Sequence, residues 1–199
     1  MRNILINRSI KKQQEIYRAL YRRFGVSYKS IHWNSYATQK IRFNEFFKTA
    51  DLDGAKVLDI GCAFGDFYGY LQDKGISVNY FGIDIVEEFI TVAKKRFLSA
   101  SFDARNILTI PITTQYDYVF ASGVFAFGSR LFFDEMNKAA FRIATKAWVF
   151  NLYAPTPKES QFFSIDHNSV MRTLYMMEPK EVKFSTEYLQ RDTTYFVYK

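Results

Sequence analysis

The spacing of apolar side chains changes once along this chain, near residue 50. Before that point the period is helical. In KKQQEIYRALYRRF, residues 11–24, Ile16, Leu20 and Phe24 recur every four positions, with Tyr17 and Tyr21 beside them. Lys11, Lys12, Arg18 and Arg22 fall mostly on another face, which predicts an amphipathic helix stopped by Gly25. An irregular aromatic stretch, SYKSIHWNSYATQ, follows. A second helix is expected over Thr38–Thr49, carrying Ile41, Phe43, Phe46 and Phe47. From Lys56 onward, strand and helix patterns alternate. KVLDI, VNYFGID, ASFDA, YDYVFAS and KAWVFNLY read as strands, and four helical segments lie among and after them. Two more strands, KEVKFSTEY and TTYFVYK, lie close together and are expected to pair antiparallel. The sum is an α/β sandwich on a seven-stranded, mostly parallel sheet with right-handed crossovers.

Composition narrows this picture. The 199 residues suit one domain with a real core, and 48% are hydrophobic. One cysteine, Cys62, forbids an intrachain disulfide or a thiolate cluster, and two histidines cannot make a zinc site, so no metal is expected. No apolar run reaches membrane-spanning length and the start is a poor signal peptide. A cytoplasmic protein without a membrane partner is the expectation. The net charge of +7 is uneven. Residues 1–50 hold eleven Lys and Arg against two acids, whereas the remainder is slightly acidic. A basic first segment suits either a solvated helix face or an acidic partner such as RNA.

Candidate chemistry concentrates at VLDIGCAFGDFYGYL, residues 57–71. An apolar strand ends in Asp59, and a small-residue turn follows, with Gly61 and Gly65 bracketing Cys62, Ala63 and Phe64. In an open α/β sheet, ligands bind beyond the carboxyl ends of the strands, so this turn is a candidate binding site. Small residues let a ligand approach the backbone. Asp59 needs a partner if the sheet buries it, and a cationic or donor-rich ligand would supply one. The next strand ends in Asp84, 23 residues past Gly61, where a carboxylate can accept both hydroxyls of a ribose. Asn106 follows the third strand and could meet an adenine edge. The glycine spacing is wrong for a dinucleotide fingerprint, and Asp59 and Asp66 would sit badly beside a pyrophosphate.

These residues resemble a known family. VLDIGCAFGDF is similar to the first motif of class I S-adenosylmethionine (SAM) dependent methyltransferases, E/D-x-G-x-G-x-G. YFGIDI, SFDARNIL and YDYVFASGVF resemble the second, third and fourth motifs. The resemblance covers residues 28–199. HWNSYATQKIRF ahead of the first motif is similar to small single-domain bacterial methyltransferases. It implies a Rossmann-like three-layer sandwich, with six parallel strands and an antiparallel one inserted near the end. It implies a methyltransferase domain at 51–199 preceded by a helical lid at 1–50. By the same resemblance SAM would be the cofactor. Asp59, Gly61, Ala63 and Gly65, with Cys62 and Phe64 in the same turn, would line its methionine part. Asp84 would hold the ribose, Ile85 would pack on the adenine and Asn106 would face its amino group. Ser122 and Gly123 would stand at the mouth where methyl transfer happens. Ala63 departs from the middle glycine and Asn106 from a common aspartate.

Methyl transfer from a sulfonium is an in-line displacement, so positioning dominates and a base helps only if the nucleophile carries a proton. The proton-acceptor candidates are His32, Tyr36, Tyr153 and His167, with His32 first because it neighbours the expected lid. Trp33 and Tyr36 would cover the site, and Arg42 would clamp the cofactor carboxylate. The fourth strand is followed by ASGVF, without the N/D/S-P-P-aromatic motif of enzymes that methylate flipped bases. Cys62 sits in the cofactor turn, out of place for a cytosine nucleophile. Ser122 replaces the acid needed by ribose 2′-O enzymes. A small-molecule O- or N-acceptor is therefore the leading expectation. An RNA or protein acceptor docked on the basic helix, and a silent SAM-binding module, are the alternatives.

Overall fold

Parallel strands need crossovers on both faces, and the strands after residue 55 carry buried side chains on both sides accordingly. The computed structural model describes residues 2–48 and 51–199. The strands are β1 (Lys56–Ile60), β2 (Asn79–Asp84), β3 (Ser101–Ala104), β4 (Tyr116–Ala121), β5 (Ala144–Tyr153), β6 (Glu181–Ser185) and β7 (Asp192–Tyr198). They form one sheet in the order β3-β2-β1-β4-β5-β7-β6. β7 runs antiparallel to both its neighbours, β5 and β6, and the pairs from β3 through β5 are parallel. The expected sheet is the one found. The chain winds outward from β1 through β2 to β3, then returns to β4 on the other side, so the switch point lies between β1 and β4.

Alternation along the strands divides the core. Leu58, Val119, Trp148 and Phe150 face one side, with α5 (Arg130–Ile143) and α6 (His167–Tyr175). Val57, Tyr118, Phe120 and Val149 face the other, with α2 (Tyr36–Phe47), α3 (Asp66–Asp73) and α4 (Glu87–Arg96). That makes three layers. Among the described residues, no helix is long and apolar enough to cross a membrane.

The first fifty residues are tied into this core. α1 runs Arg2–Phe24, starting well before the expected Lys11. Its buried stripe is Ile6, Ile10 and Gln13, continued by the half-buried Tyr17 and Tyr21. The expected line Ile16–Leu20–Phe24 is only half-buried, because the helix turns the neighbouring face inward. Ile6 and Ile10 join the buried cluster that holds Phe132, Phe133 and Met136 of α5. Gln14 Nε2 donates to the Ile85 carbonyl at 2.7 Å, and ion pairs join Arg18 to Glu88 and Arg2 to Glu135. α2 is opened by a capping box of Ser35 and Thr38, and Phe46 then stacks on Phe120 at 4.9 Å. The expected end of α2 at Thr49 and the proposed boundary at residue 50 lie outside the described residues.

Candidate active site

Positive φ angles shape the turn after β1. Gly61, Ala63 and Gly65 alternate in the left-handed region at φ 77°, 47° and 77°. That explains small residues at every second position, since left-handed backbone carries a penalty for any side chain with a Cβ. Packing adds to it at Gly61, where a Cβ would stand 2.4 Å from a methyl of Val124. The turn is pinned to β2, because the Gly61 and Cys62 amides both donate to the Ile83 carbonyl, at 2.7 and 3.0 Å.

The turn forms one wall of a cleft at the carboxyl ends of β1, β2 and β4. Of the expected residues, Asp59, Gly61, Cys62, Ala63, Asp84, Ile85, Asn106, Ser122 and Gly123 line it together. Asp59 is 5% exposed and Asp84 8%. The Tyr80 hydroxyl donates to Asp59. Asp84 accepts the Ala63 amide at 3.0 Å and the Val86 amide at 2.9 Å, one on each oxygen. Each oxygen keeps acceptor capacity, as a carboxylate offers about four lone-pair sites. Asn106 turns its oxygen to the Leu108 amide at 2.8 Å, which leaves its NH₂ as the free group.

Burial dominates the electrostatics. It raises Asp59 to about pKa 7, aided by the charges of Asp84 and Asp66 and opposed by the Tyr80 hydroxyl. It raises Asp84 to about 6, against the backbone amides that hold the anion. The Cys62 thiol is pushed up by burial and by the same acids, so it is protonated and unreactive. Two more polar groups are left over. Gln13 Nε2 and Ser122 Oγ are buried without a hydrogen-bond partner among the described residues, and both line this cleft. Two unneutralised carboxyls and two orphaned polar groups fit a ligand that is cationic and rich in polar edges.

Several expectations need correcting. Phe64 is not part of the cleft wall; it is 1% exposed and packs between Phe89 and Tyr21. Gly65 serves as the N-cap of α3. Tyr36 is half exposed with its ring edge-on to Tyr28, away from the cleft, so it is no catalytic candidate. Arg42 is engaged by the buried Asp192 and lies 4.4 Å from the Trp33 ring, which leaves it poorly placed to clamp a cofactor carboxylate. Asp66 is paired with Arg96 at 2.7 Å and does not line the cleft, though its charge still acts on Asp59. His167 bonds the Tyr195 hydroxyl at the start of α6, also outside the cleft.

A second chamber adjoins the first, sharing Tyr17, Ile31, Trp33 and Gly123 with it. His32 lines it from a left-handed position, φ 59°, its ring 5.3 Å from those of Phe127 and Phe162. Tyr153 lines it too, donating to Glu159 at 3.0 Å. Two residues that the sequence did not single out hold this region. The Asn151 oxygen accepts the Gly123 amide at 2.9 Å, and its nitrogen donates to Asp192, which also holds Arg42 and Tyr188. A carboxylate opening the last strand gave no local signal of this role. Gln13 did have one: it is a polar residue in register with Ile6 and Ile10.

The profile of the methyltransferase domain family matches residues 51–175, more than half of the chain. The chain belongs to this methyltransferase family. Over 73 residues it is 34% identical to Rv1506c of Mycobacterium tuberculosis, a protein with a methyltransferase name. That match spans 37% of this chain and 43% of the relative. The methyltransferase fold is shared with a SAM-dependent methyltransferase from Leishmania major at TM-score 0.74 and 13% identity, covering 96% of this chain and 83% of the other. It is also shared with magnesium protoporphyrin IX methyltransferase from Synechocystis PCC 6803 with bound S-adenosylhomocysteine (SAH). There the TM-score is 0.70 and the identity 12%, over all of both chains.

Within this turn, Ala63 carries a testable cost. Its left-handed φ penalises the methyl group by about 1–2 kcal/mol, partly offset by the extra unfolded-state freedom of glycine. Ala63→Gly is expected to stabilise the protein by about 0.5–1 kcal/mol in urea unfolding; a loss of stability would show that the methyl group packs favourably in the turn.

Proposed function

We propose that the protein uses SAM to methylate an oxygen or nitrogen of a small-molecule acceptor. The observation that carries this reading is the pair of cavities meeting at Gly123 and Trp33. One contains two buried carboxyls, and the other is walled by aromatic rings. In the first cavity, Asp84 accepts the ribose hydroxyls while its backbone donors hold the carboxylate in place. Asp59 faces the positively charged methionine end. Asn106 presents its NH₂ to the adenine, and Ile85 packs against the ring. SAM supplies an electrophilic methyl on sulfonium sulfur, and the protein's part is to align the acceptor with it.

The acceptor lies in the second chamber, which is concave and lined largely by aromatic side chains, as small-molecule sites are. Trp33, Phe125, Phe162 and Phe163 wall it. Asn151 fixes the Gly123 amide at the junction, and so fixes the approach of the nucleophile. His32, held between two aromatic rings, takes the proton when the nucleophile carries one. A polyanionic acceptor fits this chamber poorly, because its cation Arg42 is already paired with Asp192. The exposed Arg8, Lys11, Lys12, Arg22 and Arg23 lie on the outward faces of α1.

Two outcomes check this reading. The free protein keeps protons on Asp59 up to about pH 7 and on Asp84 up to about pH 6. An unfolded chain releases them near pH 4. Stability of the free protein therefore falls as pH rises from about 4 to about 7, since the native state binds more protons there. A cationic ligand favours the ionised carboxylates, so SAM affinity measured by calorimetry rises roughly tenfold from pH 6 to pH 8, with proton release. Affinity independent of pH would remove the charge argument for Asp59. Once an acceptor is found, His32→Gln is expected to lower kcat by about 100-fold with SAM affinity unchanged; an unaltered kcat would exclude His32 as the base.

A further inference from the structure

The inward stripe of α1 is apolar at Ile6 and Ile10, yet its next buried position is Gln13. A buried amide without a hydrogen bond is costly, so a glutamine there calls for a partner. Gln13 is 3% exposed, and its Nε2 has none among the described residues. It lines the cleft that holds Asp84, Ile85 and Asn106. One turn further on, Tyr17 lines the same cleft, its hydroxyl pushed up by burial and by the charge of Asp84. Gln14 fixes the register, because its bond to the Ile85 carbonyl sets this turn of α1 directly over the end of β2. The ion pairs Arg18 to Glu88 and Arg2 to Glu135 involve solvent-exposed arginines and are of the weak, surface kind.

We infer that α1 is the roof over the adenosine end of the cofactor cleft and that Gln13 is a cofactor-binding residue on it. This rests on the SAM reading above. The Gln13 amide nitrogen donates to an acceptor on the bound nucleoside, and the ligand supplies the bond that the free protein lacks. The roof is held by the part-buried Gln14 hydrogen bond, two surface ion pairs and the packing of Ile6, Ile10, Tyr17 and Tyr21, and the bound nucleoside adds a further tie at Gln13. Occupancy of the cleft and docking of the basic helix are thereby coupled.

The test combines Gln13→Met, which keeps the length and loses the donor, with hydrogen exchange on the wild type. Calorimetry with SAH and with methylthioadenosine is expected to show about a tenfold loss for both ligands, since both carry the adenosine. The melting temperature of the free variant is expected to stay level or rise. In the wild-type protein, SAH is expected to slow amide exchange across residues 2–24. Wild-type affinity in Gln13→Met, or exchange in α1 indifferent to SAH, would overturn the inference while leaving the cofactor assignment standing. A loss confined to SAH would overturn it too, by moving Gln13 to the amino-acid end. A wild-type protein that binds neither ligand would overturn the SAM reading itself, and this inference with it.

Discussion

Two carboxyl groups at the ends of neighbouring parallel strands, buried without an ion-pair partner among the described residues, are the constraint on which the rest of this structure turns. The sheet order sets β1 against β2, and their register places Asp59 and Asp84 at the mouth of one cleft. Charging both acids there is unfavourable, and the upward shift of each measures it. The fold tolerates them by giving each a fixed partner: Tyr80 for Asp59, and the Ala63 and Val86 amides for Asp84. Those bonds are too few to neutralise the pair. On the proposed reading a sulfonium nucleoside would complete the set, with a positive centre for one acid and two hydroxyls for the other.

The segment ahead of the sheet supplies the enclosure. Ile6 and Ile10 join the core of the α5 face, and Phe46 stacks on Phe120 of β4. The uneven charge of the chain then has a plain structural account. The arginines and lysines of α1 lie outward because the inward stripe is committed to the core and to the cleft. Trp33 and Arg42 form the other part of the enclosure, anchored through Asp192 to the last strand. The same Asp192 steadies Asn151, and through it the Gly123 turn where the two cavities meet.

Much of this was legible in the chain. Strand runs such as KVLDI and YDYVFAS are short, apolar and bounded by turn residues, and their observed limits fall within a residue or so of the expected ones. The β1 turn could be read because left-handed backbone selects small residues at 61, 63 and 65. What could not be read was long-range. Arg42 was a reasonable carboxylate clamp until Asp192, 150 positions away, took its guanidinium. Phe64 and Tyr36 are large aromatics near the site in sequence, yet each is turned away by packing that no local pattern encodes. The first turns of α1 carry scattered charges that hide its start, and the face it buries lies one helical position from the line of Ile16, Leu20 and Phe24.

The most direct measurement of the central claim is a crystal structure of the protein with SAH. The account predicts both ribose hydroxyls on the Asp84 carboxylate and the ligand's amino end toward Asp59, with the sulfur facing Gly123 and the aromatic chamber beyond it. A ligand whose ribose lies elsewhere, with Asp84 still bonded to backbone amides alone, would contradict it.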